Sequence, residues 1–307
     1  MKLFWVALAL ALVIVACGGR SKRGLSSTAS VPRTQTAGER MLSLLPQGAQ
    51  LVVELDLARL RANPVVGAVV TRALEAGAMS ALPAGVAAPP MASAELVVLA
   101  SYGLGTAEAA TVVIIASKQV AEGVRLGEGV YAFGPADWVS QIEARAALLE
   151  TGGESKLAVP ADLLALRDRA MPHDAPGASL RITARLPFDA RVALARITGL
   201  ENAPAQLSVW ADVVDDLAII VDADALDPGD KATKKSTARL VTMIRGALTV
   251  LAADPTARAL GLPPSIAGAK LVARGTWVRT IFAIGPKHLA RVIERADALL
   301  QPAKEGS

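Results

Sequence analysis

The chain has 307 residues, of which 52% are apolar, and a formal net charge of +4 at pH 7. This apolar content excludes an intrinsically disordered chain, and a single cysteine excludes an internal disulfide framework. The net positive charge is concentrated near the start, because residues 17–40 hold five Lys or Arg and one Glu. Residues 41–307 therefore carry a slightly negative net charge. The positive charge therefore does not indicate a nucleic-acid-binding face on the folded body.

The first 16 residues have the pattern of a signal peptide. Lys2 precedes an unbroken apolar run over residues 3–16, which is shorter than the roughly 20 residues that a membrane-spanning helix needs. The run ends in Ile14-Val15-Ala16-Cys17-Gly18-Gly19. Small residues surround the predicted cleavage point, and the single cysteine follows it directly.

This hexapeptide resembles the lipobox of bacterial lipoproteins. The resemblance implies that residues 1–16 are removed and that Cys17 carries diacylglyceryl and N-acyl chains such as palmitate, which anchor the chain in a membrane. Gly18 stands where lipoproteins that are retained in the inner membrane have an acidic residue. The resemblance therefore implies that the chain is anchored in the outer membrane, on its periplasmic side. An ordinary secretory signal and an uncleaved anchor are the alternatives.

Residues 17–40 are predicted to form a flexible basic tether. They are rich in Ser, Thr, Gly, Ala and Arg, and such a segment buries too little apolar surface to offset the entropy lost on ordering. The tether either lies against anionic head groups or acts as a solvated spacer. The folded body is predicted to begin near Met41 and to contain two α+β repeats, residues 41–155 and 156–307.

Strand and helix signals alternate along the body. In chain order we predict a strand at 50–57, a helix at 63–75, strands at 95–101 and 111–117 joined by a turn at 103–105, a strand at 129–133, a helix ending near Glu150, a strand at 179–186, a helix at 188–197, strands at 206–214 and 217–223, a helix at 231–253, strands at 270–275 and 278–284, and a helix ending near Leu300.

One segment is repeated. Residues 132–143 (AFGPADWVSQIE) match residues 283–294 (AIGPKHLARVIE) at Ala, Gly, Pro, Ile and Glu, with a constant offset of 151. Any strand-to-helix junction favours Gly-Pro, but the order of the flanking elements also agrees, which favours a duplication. The predicted fold class is α+β, a duplicated unit of antiparallel strands with helices packed on one face.

The sequence lacks the characteristic catalytic residues of most enzyme classes. With Cys17 lipidated, the body has no thiol, and its histidines are His173, in a loop, and His288, in the first turn of the last helix. The sequence contains no Gly-x-Ser-x-Gly elbow and no phosphate-binding glycine loop. We therefore predict no enzymatic activity and no cofactor; a hydrolase that uses the carboxylates Glu95, Asp212 or Asp222 is the remaining catalytic alternative. The tryptophans Trp138, Trp210 and Trp277 are predicted to lie in the core.

An acidic cluster is the one metal candidate. Six aspartates lie between residues 215 and 230, and Asp222, Asp224 and Asp227 are weak candidates for calcium ligands. A third ligand residue, a well-placed glycine and a closing glutamate are missing from this segment. The simpler interpretation is a turn that caps the following helix, so no metal is predicted.

Two functions fit these observations. The first is a non-catalytic interaction or assembly module, held on the membrane by Cys17, whose partner is an unidentified envelope protein or lipid and not a nucleic acid. The second is an apolar-ligand carrier, with a cavity between sheet and helices. Residues 76–93 are either a lid for such a cavity or a crossing connection. The alanine-rich, aromatic-poor core is compatible with such a cavity.

Overall fold

The computed structural model describes residues 36–77, 91–119, 122–151, 161–173, 177–198, 203–224 and 234–300. Cys17, the signal segment, Asp227 and most of the 76–93 loop lie outside these ranges. Within them, no helix combines the length and the apolar character required to cross a membrane.

Ten strands of the described ranges form one antiparallel sheet. They are β1 (Leu51–Asp56), β2 (Ala94–Tyr102), β3 (Ala110–Ser117), β4 (Val124–Gly127), β5 (Val130–Phe133), β6 (Leu180–Arg185), β7 (Gln206–Val213), β8 (Leu217–Asp224), β9 (Lys270–Arg274) and β10 (Trp277–Ile284). Their order across the sheet is β4-β5-β3-β2-β1-β6-β7-β8-β10-β9.

Ten helices of the described ranges connect or flank these strands. They are α1 (Ala37–Leu44), α2 (Leu57–Ala62), α3 (Gly67–Glu75), α4 (Ala136–Glu150), α5 (Ala161–Arg167), α6 (Phe188–Thr198), α7 (Lys234–Ala253), α8 (Pro255–Leu260), α9 (Pro263–Ala267) and α10 (Pro286–Leu300). The predicted α+β class with antiparallel strands is confirmed.

The two halves of the sheet have the same topology. β1 and β6 are central neighbours, with Val53 opposite Ile182. Outward from this pair, the order β2, β3, β5, β4 on one side matches β7, β8, β10, β9 on the other. This arrangement is the one expected of a duplicated unit, joined here into a continuous sheet. The predicted boundary at residue 155 lies outside the described ranges.

Helices cover both faces of the first half, which differs from the predicted single face. We call the face that carries Val97 the first face and the face that carries Val98 the second face, because these neighbours on β2 belong to different core clusters. Helices α2 and α3 pack on the first face, and α1 and α4 pack on the second. The reason is in β3, where residues 112–115 (Val-Val-Ile-Ile) are all 0% exposed, so both faces of the strand require cover.

The second half is covered differently. Leu240 of α7 packs with Ala223 and Val278, and Leu289 of α10 joins the core cluster that contains Ile284. These contacts place α7 and α10 on the first face, although α10 follows β10 just as α4 follows β5. Consequently none of the described helices covers the second face of β9 and β10 in the way that α4 covers the corresponding part of the first half.

The folded body begins earlier than predicted. The Thr36 side chain accepts a hydrogen bond from the backbone N–H of Glu39 (3.2 Å), and the Thr36 N–H donates to the Glu39 carboxylate (3.0 Å). This capping box starts α1 at Ala37, so residues 36–40 are not part of a flexible tether.

The turn between β2 and β3 touches the second half of the chain. Gly105 has φ +86°, and a Cβ atom at this position would lie 2.6 Å from the backbone nitrogen of Ala190 in α6. Only glycine permits both this conformation and this approach.

We expect Gly105→Ala to lower the free energy of unfolding by about 2 kcal/mol or more, because a left-handed conformation alone costs ~1–2 kcal/mol and the collision with α6 adds to it. Gly275→Ala is the matched control, since φ is +62° but nothing lies within 4 Å of the added Cβ. Urea unfolding measures both variants. Equal losses would contradict a tight contact between turn and helix.

Candidate interaction surface

A buried ion pair lies at the centre of the second face. Glu54 of β1 is 7% exposed and Arg167 of α5 is 5% exposed. Arg167 donates from Nε to Glu54 Oε1 (2.6 Å) and from Nη2 to Glu54 Oε2 (2.8 Å). This bidentate arrangement is the strongest geometry for a guanidinium and a carboxylate.

Further charged groups extend this pair into a network. Asp168 accepts hydrogen bonds from Arg167 (2.9 Å) and from Arg181 of β6 (3.0 Å), and Glu39 of α1 lies 3.6 Å from Arg167. We call these five residues, Glu39, Glu54, Arg167, Asp168 and Arg181, the seam network. It joins α1 and β1 of the first half to α5 and β6 of the second.

The pKa values of the two arginines in the seam network are shifted in opposite directions. Burial acts to lower the pKa of Arg167, but the hydrogen bond and charge of Glu54 outweigh it and raise that pKa. Burial, with the nearby charge of Arg167, lowers the pKa of Arg181. Because arginine pKa values lie far above neutrality, both side chains stay charged and the network holds the two halves together.

A second cluster lies toward the sheet edge and contains two of the calcium candidates. Arg279 of β10 donates from Nε (2.8 Å) and Nη2 (2.6 Å) to the Asp222 carboxylate, and Thr276 donates to Asp224 (2.6 Å). Both aspartates belong to strand β8 rather than to a calcium loop, and Asp227 lies outside the described residues. In the part of the chain that the structure describes, no three His, Cys, Asp or Glu side chains are placed to hold a metal ion.

The histidines occupy different positions. His288 Nε2 lies 2.8 Å from the Gly261 carbonyl and its Nδ1 lies 3.1 Å from Ser265 Oγ, so the imidazole links α10 to α8 and α9. A carbonyl only accepts, so Nε2 donates a hydrogen bond to Gly261 in this geometry. His173 is exposed. The structure does not bring the two together.

The three candidate catalytic carboxylates are all held in ion pairs. Glu95 lies 2.7 Å from Lys118, and Asp212 accepts from Arg59 Nε (2.7 Å) and Nη2 (2.5 Å). Asp222 is held by Arg279 as described above. They lie on β2, β7 and β8, and each already has a cationic partner, as a structural carboxylate does.

The tryptophans also lie apart. Trp210 is 4% exposed and donates to the Gly177 carbonyl (2.9 Å), and Trp138 stacks on Tyr102 with ring centroids 4.1 Å apart. Trp277 is half-buried, with the Arg169 guanidinium 3.7 Å above its ring. This cation–π contact places an aromatic side chain beside the uncovered part of the sheet.

The uncovered part of the sheet ends in an exposed edge strand. β9 is the last strand in the order, and β10 is its only partner among the described strands. Lys270, Val272 and Arg274 alternate along β9 and are exposed, Val272 by 41%. We call these three residues the edge surface. Their cross-strand neighbours are Ile281, Arg279 and Trp277, so they share the second face.

Sequence reasoning missed the seam network and the edge surface. The sequence contained one signal for the seam network. Glu54 interrupts the apolar run of β1 (Leu-Val-Val-Glu-Leu-Asp) at a position that the structure buries. The edge position of β9 follows from strand order, which no local pattern encodes.

Comparisons with known proteins do not assign a family. No protein-family model matches the chain, and no curated protein is significantly similar to it. The solved structure of TP0453 in crystal form I aligns over 85% of this chain and 99% of that one, with a TM-score of 0.40 and 9% sequence identity. At this level of similarity the comparison carries no argument about function.

We expect Glu54→Gln to lower the free energy of unfolding by about 3–5 kcal/mol, because it leaves the buried Arg167 without its main counter-charge. Glu95→Gln is the control: it removes an exposed pair, and we expect a loss of about 1 kcal/mol or less. Urea unfolding measures both. Similar small losses would show that the seam network does not stabilise the junction between the halves.

Proposed function

We propose that this chain is a lipid-anchored envelope protein that acts as a non-catalytic interaction module on the periplasmic side of the outer membrane. The anchor is Cys17, and 18 residues separate it from Thr36, where the described fold begins. A flexible segment of this length spans roughly 25 Å. The body therefore stays close to the membrane while its edge surface remains accessible.

The exposed edge strand β9 carries the proposal. A strand at the edge of a sheet presents backbone N–H and C=O groups that pair readily with an added strand. Lys270, Val272 and Arg274 then supply side-chain specificity on one face of such a pairing. The corresponding outer strand of the first half, β4, has only four residues and an irregular register with β5, so it is the poorer template.

The charges of the edge surface define the partner. Antiparallel pairing of two copies of β9 centred on Val272 would place Lys270 opposite Arg274, and like charges in that position are destabilising. An extended segment of another envelope protein with acidic side chains on either side of an apolar one is complementary to the same three positions. We therefore favour an acidic partner strand over a second copy of this chain.

The candidate catalytic groups support a non-catalytic role. Glu95, Asp212 and Asp222 have cationic partners, and His288 is hydrogen-bonded through both ring nitrogens. A general base needs a free lone pair directed at substrate. The lipid-carrier alternative stays a prediction.

The anchor is tested by replacing the cysteine. We expect Cys17→Ala to remove the mass of the acyl chains from the purified protein and to move the protein from the membrane fraction to the soluble fraction, because anchoring depends on those chains. Ser21→Ala is the control and should leave both properties unchanged. An unmodified peptide mass for the natural sequence would contradict lipidation.

The edge surface is tested by photo-crosslinking in a bacterial envelope. With a photoreactive phenylalanine derivative in place of Val272 in the full chain, we expect crosslinks to a peptide with acidic residues around an apolar one, identified by mass spectrometry. The pair Lys270→Glu and Arg274→Glu should abolish these crosslinks, since it reverses the charges.

The control carries the same photoreactive residue at Leu148, which is 47% exposed on α4. Equal crosslinking at both positions, or crosslinks that survive charge reversal, would contradict a specific partner strand. Crosslinks from position 272 to lipid would show that the edge surface faces the membrane instead.

A further inference from the structure

A cleft of about 330 Å³ lies between the two halves on the second face. It is formed by the end of α1 and the loop that leads into β1, by α4, by the start of α5 and by the end of β6. Clefts between structural units are frequent sites of small-molecule binding. Its lining includes Leu42, Leu45, Ala49, Arg145, Asp162 and Arg185.

Arg145 is the informative residue of the cleft. Its Nε and Nη2 donate to the Ser43 carbonyl at 3.1 and 2.8 Å, which fixes the direction of the guanidinium. Burial lowers the pKa of Arg145. Among the described residues, no carboxylate forms an ion pair with it, whereas the seam arginines and Arg279 all have one. A partly buried cation without a carboxylate partner favours an anionic ligand.

The rest of the lining sets the character of the ligand. Arg185 is paired with Asp162, so the cleft retains one net positive charge, that of Arg145. Leu42, Leu45 and Leu163 provide an apolar wall. One charge beside an apolar wall fits a monoanion with a hydrocarbon part better than a multiply charged, fully polar anion.

We propose that this cleft binds a short amphipathic monocarboxylate, with the carboxylate at Arg145 and the hydrocarbon tail against the leucines. A volume of about 330 Å³ lies at the small end of the range for ligand pockets, which suits a short-chain acid. A two-chain membrane lipid is much larger than this volume. The site is separate from the edge surface of β9, and the proposal does not depend on a partner strand.

Isothermal titration calorimetry on the full chain, held in nanodiscs of neutral lipid, tests the proposal with three probes. They are hexanoate, hexan-1-ol and inorganic phosphate, each corrected for its heat with empty nanodiscs. We expect hexanoate to bind at least ten-fold more tightly than the other two, because only hexanoate has both the negative charge and the apolar tail. Equal binding of hexanol would show an apolar pocket only, equal binding of phosphate would show a general anion site, and either result would overturn the proposal.

Variants locate the binding in the cleft. Arg145→Gln should weaken hexanoate binding about ten-fold or more, the loss expected for a hydrogen-bonded charge pair. Because Arg145 also holds the Ser43 carbonyl, Ala49→Leu provides a second variant that fills the cleft and leaves every charge in place; it should weaken binding to a similar degree. Arg291→Gln, an exposed arginine on α10, is the control and should have no effect. Unchanged hexanoate binding in Ala49→Leu, or an equal loss in Arg291→Gln, would overturn the assignment.

Discussion

The ion pair between Glu54 and Arg167 is the interaction on which the architecture depends. Removing these two charges from water is costly, and only close, bidentate geometry with additional hydrogen bonds offsets that cost. The geometry exists only when β1 and α5 are both in place, with Asp168 and Arg181 beside them. Separating the halves would leave either residue as an uncompensated buried charge. The pair therefore favours the association of the two five-stranded units, which the β1–β6 ladder joins into one sheet.

Local patterns predicted much of the fold. The alternation in β1, the hairpin of β2 and β3, and the strand pairs β7–β8 and β9–β10 all agree with the structure to within a few residues, because each depends on neighbouring side chains and local turn residues. The short elements α1, α2, β4, α5, α8 and α9 were not predicted, since each spans too few residues for a periodic signal; the helix predicted at 63–75 begins only at Gly67, after the separate helix α2. Placement of the helices also depends on contacts between distant segments, and the one-face prediction failed where β3 is buried on both sides.

The candidate site was less accessible to sequence reasoning. The lipidation motif is local, so Cys17 was readily predicted and stays a prediction. Asp222 was predicted as a metal candidate from its acidic neighbours, yet its main partner, Arg279, is 57 residues away. Glu54 and Arg167 are 113 residues apart. The partner of a buried charge is set by strand register and helix docking, and both become visible only when the chain is folded.

The register of the central strands β1 and β6 shows that symmetry-related positions in the two halves carry different residues. An axis through the pair Val53 and Ile182 relates the position of Glu54 opposite Arg181 to that of Val52 opposite Thr183. A dimer of identical subunits must repeat every contact on both sides of its axis. Here a charged pair stands on one side, and a valine faces a threonine on the other. Two halves in one chain can differ in sequence, so the buried charged pair has to be accommodated only once. Each half can therefore change its own side chains while both keep the same strand order.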